Sequence, residues 1–190
     1  MRAAIASLII SALALTACAS HKSSSPYTAG SEEVRNPAKA DQLNQKACDQ
    51  LDKDPVAAEK LLREALAADL YHGPAHNNLG TLLLRQGKLY EAAGEFEWAK
   101  RLLPGHPDPR LNLALTLEKA GRTDEAITAY RTALEVYPEH IQSMQALARL
   151  QVKSGHTDAE TPHLLSEVAM RGESERWRQW ARLEMAKTPK

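Results

Sequence analysis

Residues 74–104 read PAHNNLGTLLLRQGKLYEAAGEFEWAKRLLP, and the same pattern returns at residues 108–138 as DPRLNLALTLEKAGRTDEAITAYRTALEVYP. In both stretches a leucine and a small residue precede a glycine, and an alanine, an aromatic residue, a second alanine and a proline follow. The matching positions are 34 residues apart: Leu79 and Leu113, Gly87 and Gly121, Ala92 and Ala126, Ala99 and Ala133, and Pro104 and Pro138. A fixed period through several residue types indicates stacked copies of one supersecondary unit.

The first of these copies is predicted to form two helices. Residues 74–86 form the first helix, and Gly87 suits the left-handed residue that ends a helix. Residues 88–102 form the second helix, which Pro104 stops because proline cannot continue a helix. The unit is therefore a helix, a short turn and a second helix.

The second copy repeats this design with helices predicted over residues 111–120 and 123–136. Gly121 lies between them, and Thr123 is predicted to start the second helix, since threonine is a favoured cap. The sequence HPDP at residues 106–109 is predicted to form a rigid turn between the two copies.

A weaker copy of the unit precedes the two clear ones. Residues 39–72 keep Ala58 and Ala65 at the 34-residue period. The sequence KDP at residues 53–55 replaces the glycine turn. The same helix pair is therefore expected here with a different connection.

Another weaker copy and a single helix follow the two clear ones. Residues 141–173 keep the leucine and the glycine of the pattern, and Thr161 is predicted to cap their second helix. Residues 174–187 look like one more first helix without a partner, which would cap the stack. Its Trp177 and Trp180 are predicted to pack in the core.

The repeated pattern resembles the tetratricopeptide repeat. The residues that carry the resemblance are Leu79-Gly80, Gly87, Ala92, Phe96, Ala99 and Pro104, and then Leu113-Ala114, Gly121, Ala126, Tyr130, Ala133 and Pro138. His76 and Arg110 replace the aromatic residue that the family usually has early in the first helix. The resemblance implies an all-α solenoid of about four repeats plus a C-terminal capping helix. The expected boundaries are 39–72, 73–106, 107–140 and 141–173 for the repeats and 174–187 for the capping helix.

The N-terminal residues read as an export signal. An apolar run from residue 3 to residue 15 follows Arg2, and it is too short for a membrane span, which needs about 20 residues. The sequence LTAC at residues 15–18 resembles the lipobox of bacterial lipoproteins. This resemblance implies removal of residues 1–17 and lipid attachment at Cys18. An ordinary secretory signal is the alternative interpretation.

The residues after the signal are expected to form a lipidated tether. Residues 18–38 are rich in serine and contain two prolines, with few large apolar side chains to bury. In Gram-negative lipoproteins an aspartate after the lipidated cysteine favours retention in the inner membrane. Ala19 stands there instead, so the resemblance implies a lipid-anchored protein of the outer membrane that faces the periplasm.

Composition and motifs argue against several classes of function. The chain has 24 basic and 24 acidic residues, so it lacks the basic excess of a nucleic-acid binder. Two cysteines cannot supply a disulfide framework. His72 and His76 are spaced like metal ligands, but Gly73-Pro74 between them is expected to break the helix that would align them. No catalytic or zinc-binding motif occurs. We expect no catalytic residues, metal ion, cofactor or small-molecule substrate.

Stacked helix pairs form a concave groove that can hold a partner. In the tetratricopeptide family the first helices line it and bind extended peptides or helices. By repeat position the lining residues are Asn77, Thr81, Leu84, Arg85, Leu111, Leu115, Glu118, Lys119, Gln145, Arg149, Val152 and Lys153. Arg85, Lys119 and Lys153 hold the same place in successive repeats. They form a basic ladder for an acidic partner segment, or they only complement helix dipoles.

These features predict a membrane-anchored scaffold for protein partners of the cell envelope. The combination of lipobox and repeats resembles lipoproteins that assist assembly of type IV or tight-adherence pili and their secretins. An adaptor for peptidoglycan-processing enzymes is an alternative. A self-associating structural lipoprotein, with Trp177 and Trp180 in its own groove, is another.

Overall fold

The computed structural model describes residues 35–187, and every regular element in that range is an α-helix. The predicted signal segment, Cys18 and the tether up to residue 34 lie outside the described residues. The nine helices of the described range are α1 (Pro37–Cys48), α2 (Pro55–Ala68), α3 (Gly73–Arg85), α4 (Leu89–Leu102), α5 (Asp108–Lys119), α6 (Thr123–Val136), α7 (Ile141–Ser154), α8 (Thr161–Arg171) and α9 (Glu175–Lys187). None of these helices is long and apolar enough to cross a bilayer.

The helices pack in successive pairs. Within the pairs, α1 packs on α2, α3 on α4, α5 on α6 and α7 on α8. Each second helix also packs against the first helix of the next pair, and α9 packs on α8. This arrangement confirms the predicted fold class, an all-α stack of helix pairs with one further C-terminal helix.

Glycines end the first helices of three pairs in the left-handed conformation. The φ angle is +77° at Gly87 and at Gly121, and +74° at Gly155. Side chains rarely adopt such angles, which is why the period keeps glycine at these places. After Gly121 the amide of Arg122 donates to the carbonyl of Leu117 over 2.9 Å, which closes the turn.

Two helices begin earlier than the sequence predicts. Helix α1 starts at Pro37, inside the predicted tether of residues 18–38, and Asn36 caps it by accepting a backbone amide hydrogen bond. Helix α5 starts at Asp108, so the last two residues of the predicted turn at 106–109 belong to the helix. The reason is the same in both cases. Proline is tolerated in the first turn of a helix, where its missing N–H has no helical partner.

The prediction that Thr123 starts α6 is confirmed, whereas the prediction that Thr161 caps α8 is wrong. Arg122 and Glu160 are the N-caps, and Thr123 and Thr161 are the first residues inside their helices. The short turn that follows the left-handed glycine makes Arg122 the cap. Ahead of α8, the Asp158 carboxylate accepts hydrogen bonds from the amides of Glu160 and Thr161 at 3.0 and 3.2 Å.

A small residue against an aromatic ring sets the crossing of each central pair. A Cβ atom at Gly80 in α3 would lie 2.7 Å from the ring of Phe96 in α4. In the next pair, Ala114 and Tyr130 hold the matching positions and are fully buried, as Phe96 is. The two helices of a pair therefore approach as closely as the small residue allows.

We predict that Gly80→Ala destabilises the protein because the new methyl group must displace the buried Phe96 ring. Overpacking of this kind outweighs the gain in helix propensity and leaves a net loss of about 1–2 kcal/mol in the free energy of unfolding. Urea unfolding of the purified domain measures this change in the free energy of unfolding.

The matched control is Gly94→Ala, in the same helix pair, where an added Cβ has no neighbour within 4 Å. It should stabilise the protein by about 0.5–1 kcal/mol. Equal effects of the two substitutions would show that the close crossing does not limit the packing.

His76 performs the packing role of the aromatic residue that it replaces. Its ring is fully buried and stacks on Trp98 at 5.5 Å between centroids, with only 9° between the planes. Its Nδ1 lies 2.7 Å from the carboxylate of Glu95, and its Nε2 lies 2.9 Å from the carbonyl of Leu70. The interaction joins α3 to α4 through both stacking and hydrogen bonds.

The predicted helix break between His72 and His76 is wrong, and both histidines have partners within the protein. Gly73 and Pro74 do not break a helix, since they form the first turn of α3. His72 is the N-cap of this helix and accepts a hydrogen bond from a backbone amide. Its Nε2 lies 2.8 Å from the carboxylate of Asp41 in α1, so its two ring nitrogens already have partners.

An ion pair fixes the start of the described chain to the first helix pair. Arg35 binds Asp69 through two hydrogen bonds, Nε to Oδ1 at 2.8 Å and Nη2 to Oδ2 at 3.1 Å. The guanidinium also lies 4.9 Å from the centre of the Tyr71 ring. The hydrogen bond from Arg35 holds the pKa of the Asp69 carboxyl below its ordinary value.

This shift predicts a pH-dependent effect of Asp69→Asn. Because the folded pKa lies below the unfolded value of about 3.9, the ionised carboxylate stabilises the fold above that pH. Its contribution is lost as the pH falls through the folded pKa. We predict that Asp69→Asn lowers the urea midpoint at pH 7 and that the difference from wild type narrows below about pH 4.

The exposed aspartate substitution Asp49→Asn controls for a general loss of negative charge. A difference between Asp69→Asn and wild type that stays constant from neutral to acidic pH would contradict this account.

Candidate functional site

The first helices of successive pairs lie side by side. Helix α1 contacts α3, α3 contacts α5 and α5 contacts α7. Within the part of the chain that the structure describes, successive second helices make no comparable contacts. The first helices are therefore closer together, which places them on the inner side of the stack. We call the surface formed by α3, α5 and α7 the inner face.

The twelve groove residues predicted from the sequence all lie on these three helices, and they differ in accessibility. The exposed residues are Arg85, Lys119 and Lys153. The partly exposed residues are Asn77, Thr81, Leu84, Leu111, Leu115, Glu118, Arg149 and Val152. Gln145 is buried. Eleven of the twelve predicted residues therefore have surface that a ligand can reach.

Gln145 binds the connection between α8 and α9 instead of facing a groove. Its side-chain oxygen accepts a hydrogen bond from the amide of Glu173 at 2.8 Å, and its Nε2 donates to the Glu173 carboxylate at 3.1 Å. The prediction that Gln145 lines the groove is therefore wrong, because the side chain is buried beneath this connection. The repeat position alone cannot show that the chain after α8 folds back over it.

Asparagine side chains fix the spacing of the first helices. The Nδ2 of Asn78 in α3 donates to the Oδ1 of Asn44 in α1 at 2.9 Å. The Nδ2 of Asn112 in α5 donates to the Oδ1 of Asn77 in α3 at 3.1 Å. Asn77 is thus already a hydrogen-bond acceptor within the stack, and the amides act as spacers beside the apolar contacts.

A partly buried polar cluster joins three helices at the inner face. Glu118 of α5 accepts hydrogen bonds at one oxygen from Arg149 of α7, at 2.7 Å, and from the hydroxyl of Tyr130 of α6, at 3.0 Å. Burial raises the pKa of Tyr130, and the negative Glu118 raises it further. The hydrogen bond to Glu118 raises the pKa of Arg149. Glu118 therefore holds Arg149 in a fixed position.

We predict that Glu118→Ala costs more stability than Arg149→Ala because it removes two hydrogen-bond partners at once. It leaves the buried Tyr130 hydroxyl without its acceptor, a loss of about 1–3 kcal/mol. Since Arg149 is about one third exposed, a coupling energy of only about 1 kcal/mol is expected between positions 118 and 149.

Urea unfolding of the two single variants and the double variant measures this coupling. Strictly additive effects would mean that the ion pair contributes nothing to the junction of α5 and α7.

The three cations of the predicted basic ladder differ in their surroundings. Arg85 pairs with Asp52 at 2.8 Å, and both side chains are exposed. Lys119 and Lys153 are exposed and form no ion pair within residues 35–187. Each of the three lies in the last turn of its helix, so the helix dipole favours it there. The geometry agrees with both interpretations of the ladder.

The prediction that Trp177 and Trp180 belong to the core is wrong. Both indoles are only partly buried, and within the described part of α9 only Ala181 is fully buried. The two rings meet edge to face at 5.5 Å. With Arg149 and Arg176 they line a cleft of about 350 Å³.

The positions of Trp177, Trp180 and Arg176 in the sequence could have indicated this cleft, although the repeat pattern alone does not. Trp177 and Trp180 are three residues apart and so lie on one face of α9, and no further helix follows within the described residues to cover that face. Arg176 directly before Trp177 adds a cation at the same place.

Other chemistry has little support in the described residues. Within residues 35–187 no group of three or more histidine, cysteine or acidic side chains is placed to hold a metal ion. Cys48 is partly buried, accepts a hydrogen bond from Asn78 at 3.2 Å, and its pKa is raised by burial. A raised pKa keeps the thiol protonated and unreactive.

Two sequence-family models match this chain, and both are described as tetratricopeptide repeat. One matches residues 53–107 and the other residues 107–150. None of the curated protein sequences matches this chain.

Several solved structures share the fold at low sequence identity. The first repeat domain of Spaghetti (RPAP3), bound to the HSP90 peptide SRMEEVD, is 17% identical with a TM-score of 0.61 over 64% of this chain and 97% of that chain. MamA from Desulfovibrio magneticus RS-1 is 17% identical with a TM-score of 0.58 over 79% of this chain and 78% of that chain. An O-GlcNAc transferase of Thermobaculum terrenum is 23% identical with a TM-score of 0.64 over 78% of this chain and 27% of that chain.

Proposed function

Because the chain belongs to the tetratricopeptide repeat family over residues 53–150, we propose that it is a protein–protein interaction scaffold whose inner face binds an extended partner segment. The observation that carries the proposal is the row of first helices. Leu84, Leu111 and Leu115 are partly exposed there, beside the exposed Arg85 and Lys119. Apolar and cationic side chains on one face suit a segment that carries both apolar and acidic residues.

A structural relative supports an acidic ligand. The RPAP3 repeat domain binds the peptide SRMEEVD, which contains three acidic residues. In this chain Lys119 and Lys153 are exposed cations on neighbouring helices, and Arg149 lies between them in sequence. An acidic partner segment would complement the positive charge of these side chains, which favours fast and selective association.

We further propose that the scaffold is anchored to the outer membrane and faces the periplasm. The lipobox at residues 15–18 and Ala19 after it are the grounds for this proposal. Acyl chains at Cys18 would contribute about 0.8 kcal/mol for each buried methylene group. The residues between Cys18 and Pro37 would link the stack to the lipid and so keep the inner face close to partners at the same membrane.

The process we propose is assembly of an envelope machine such as a type IV or tight-adherence pilus with its secretin. The grounds are the combination of a lipobox with a short stack of repeats, which resembles lipoproteins of such machines. The fold itself is used for many functions, so the partner has to be identified directly.

Cross-linked pull-down from native membranes tests this function. The variant Arg85→Glu/Lys119→Glu/Lys153→Glu reverses the charge of the basic ladder, and Cys18→Ala removes the proposed lipid site. The matched control Lys60→Glu/Arg63→Glu/Lys88→Glu makes the same change of charge at exposed residues of α2 and the start of α4. Circular dichroism establishes that each variant is folded.

We predict that the ladder variant loses a partner that wild type and the control variant both retain. We expect a pilus or secretin component as that partner, and we expect Cys18→Ala to leave the membrane fraction. Recovery of the same partners by all variants would overturn binding at the inner face. Recovery of peptidoglycan-processing enzymes would replace pilus assembly with wall remodelling.

A further inference from the structure

The cleft beside α9 arises from a change in the repeated sequence. The positions 78, 112, 146 and 180 are equivalent in the 34-residue period. Asn78 and Asn112 use this position to bond to the preceding first helix. Trp180 has no amide for such a bond and is much larger. Helix α9 packs on α8, and the cleft opens between Trp180 and Arg149 of α7.

The walls of the cleft combine two aromatic rings with two cations. Arg176 is exposed and forms no ion pair within the described residues. Arg149 is held by Glu118 through one of its terminal nitrogens, Nη2, at 2.7 Å. The edge-to-face contact of Trp177 with Trp180 fixes the rings against each other. Arg149 and the two indole rings are therefore held in place before any ligand arrives.

The two carboxylates just before Arg176 in the sequence bond to other side chains. Glu173 accepts hydrogen bonds from Gln142 at 2.7 Å and from Gln145 at 3.1 Å. Glu175 pairs with Arg178 at 2.9 Å and with an arginine one turn further on. The exposed cation at Arg176 is left for a ligand.

We propose that this cleft is a second contact site for the partner segment, one that binds a carboxylate side chain next to an aromatic or large aliphatic one. The inference rests on the proposed function, because it extends the inner face by one helix beyond α7. The carboxylate pairs with Arg176, and the neighbouring apolar side chain packs on Trp177 and Trp180.

The size and composition of the cleft fit this ligand. Its volume of about 350 Å³ lies at the lower end of ligand pockets, so it takes a few side chains rather than a folded domain. Tryptophan and arginine are also the residues that most often dominate the binding energy of protein interfaces. Substitution of either the tryptophans or Arg176 should therefore weaken binding strongly.

Blocked hexapeptides test the cleft, and the native partner is not needed. The peptides are acetylated and amidated, so only side chains carry charge, and they place Glu beside Phe. Matched peptides carry Gln in place of Glu or Ser in place of Phe. Binding to the folded chain is followed by tryptophan fluorescence, since two of the three tryptophans line the cleft.

We predict that the Glu–Phe peptides bind about tenfold more tightly than either matched set, because the Gln peptides lose one charge-assisted contact and the Ser peptides lose one buried apolar side chain. Arg176→Glu should remove this preference for Glu, and Trp180→Ala should remove the preference for Phe. The control Lys60→Glu on α2 makes the same change of charge and should leave both preferences intact. Because Arg176 and Lys60 are exposed, both charge variants should fold.

Three results would overturn the inference. The first is equal binding of all peptide sets, and the second is a Glu preference that survives Arg176→Glu. The third is a dimer in sedimentation that Arg176→Glu or Trp180→Ala dissociates, since a second copy would then occupy the cleft. If the ladder variant still loses its membrane partner in any of these cases, the proposed function stands without the cleft.

Discussion

The close crossing of two helices within each repeat is the constraint on which the rest of the structure depends. A Cβ atom at Gly80 would clash with the Phe96 ring, and Ala114 and Tyr130 hold the matching buried positions in the next pair. Left-handed glycines such as Gly87 then reverse the chain within three residues. Once the pair has this geometry, stacking further pairs buries the remaining apolar sides, and the first helices come to lie along one face.

The candidate binding face follows from the spacing that this stacking imposes. Asn112 and Asn77 link neighbouring first helices, and Glu118 holds Arg149 across the next junction. These polar contacts satisfy buried groups and also fix the side chains that border the ligand surface. A rigid row of helices loses little conformational freedom on binding, which suits a scaffold for flexible partner segments.

The sequence period predicts most of the fold because it reports directly on packing. The period predicts α6 at residues 123–136, where the structure has Thr123–Val136, and the three turn glycines lie where the period places them. Helices α1 and α5 begin earlier than the sequence predicts. Proline suggests a boundary at both places, although the first turn of a helix accepts it.

The site was less predictable because it depends on contacts that do not repeat. The repeat position of Gln145 suggests a groove residue, but the connection after α8 covers it through Glu173. Trp177 and Trp180 suggest a core, but an end helix has one side without a neighbour in the described chain. Irregular segments and ends of a stack therefore have to be judged from three-dimensional contacts.

The most direct test of the central claim is site-specific photocross-linking in native membranes. A photoreactive residue replaces Leu115, which is partly exposed on the inner face, or Thr128, which is exposed on α6 on the other side of the same repeat. The account predicts that the partner is captured from position 115 and not from position 128. Capture from position 128 alone would show that the partner binds the second helices, and the inner face would lose its proposed role.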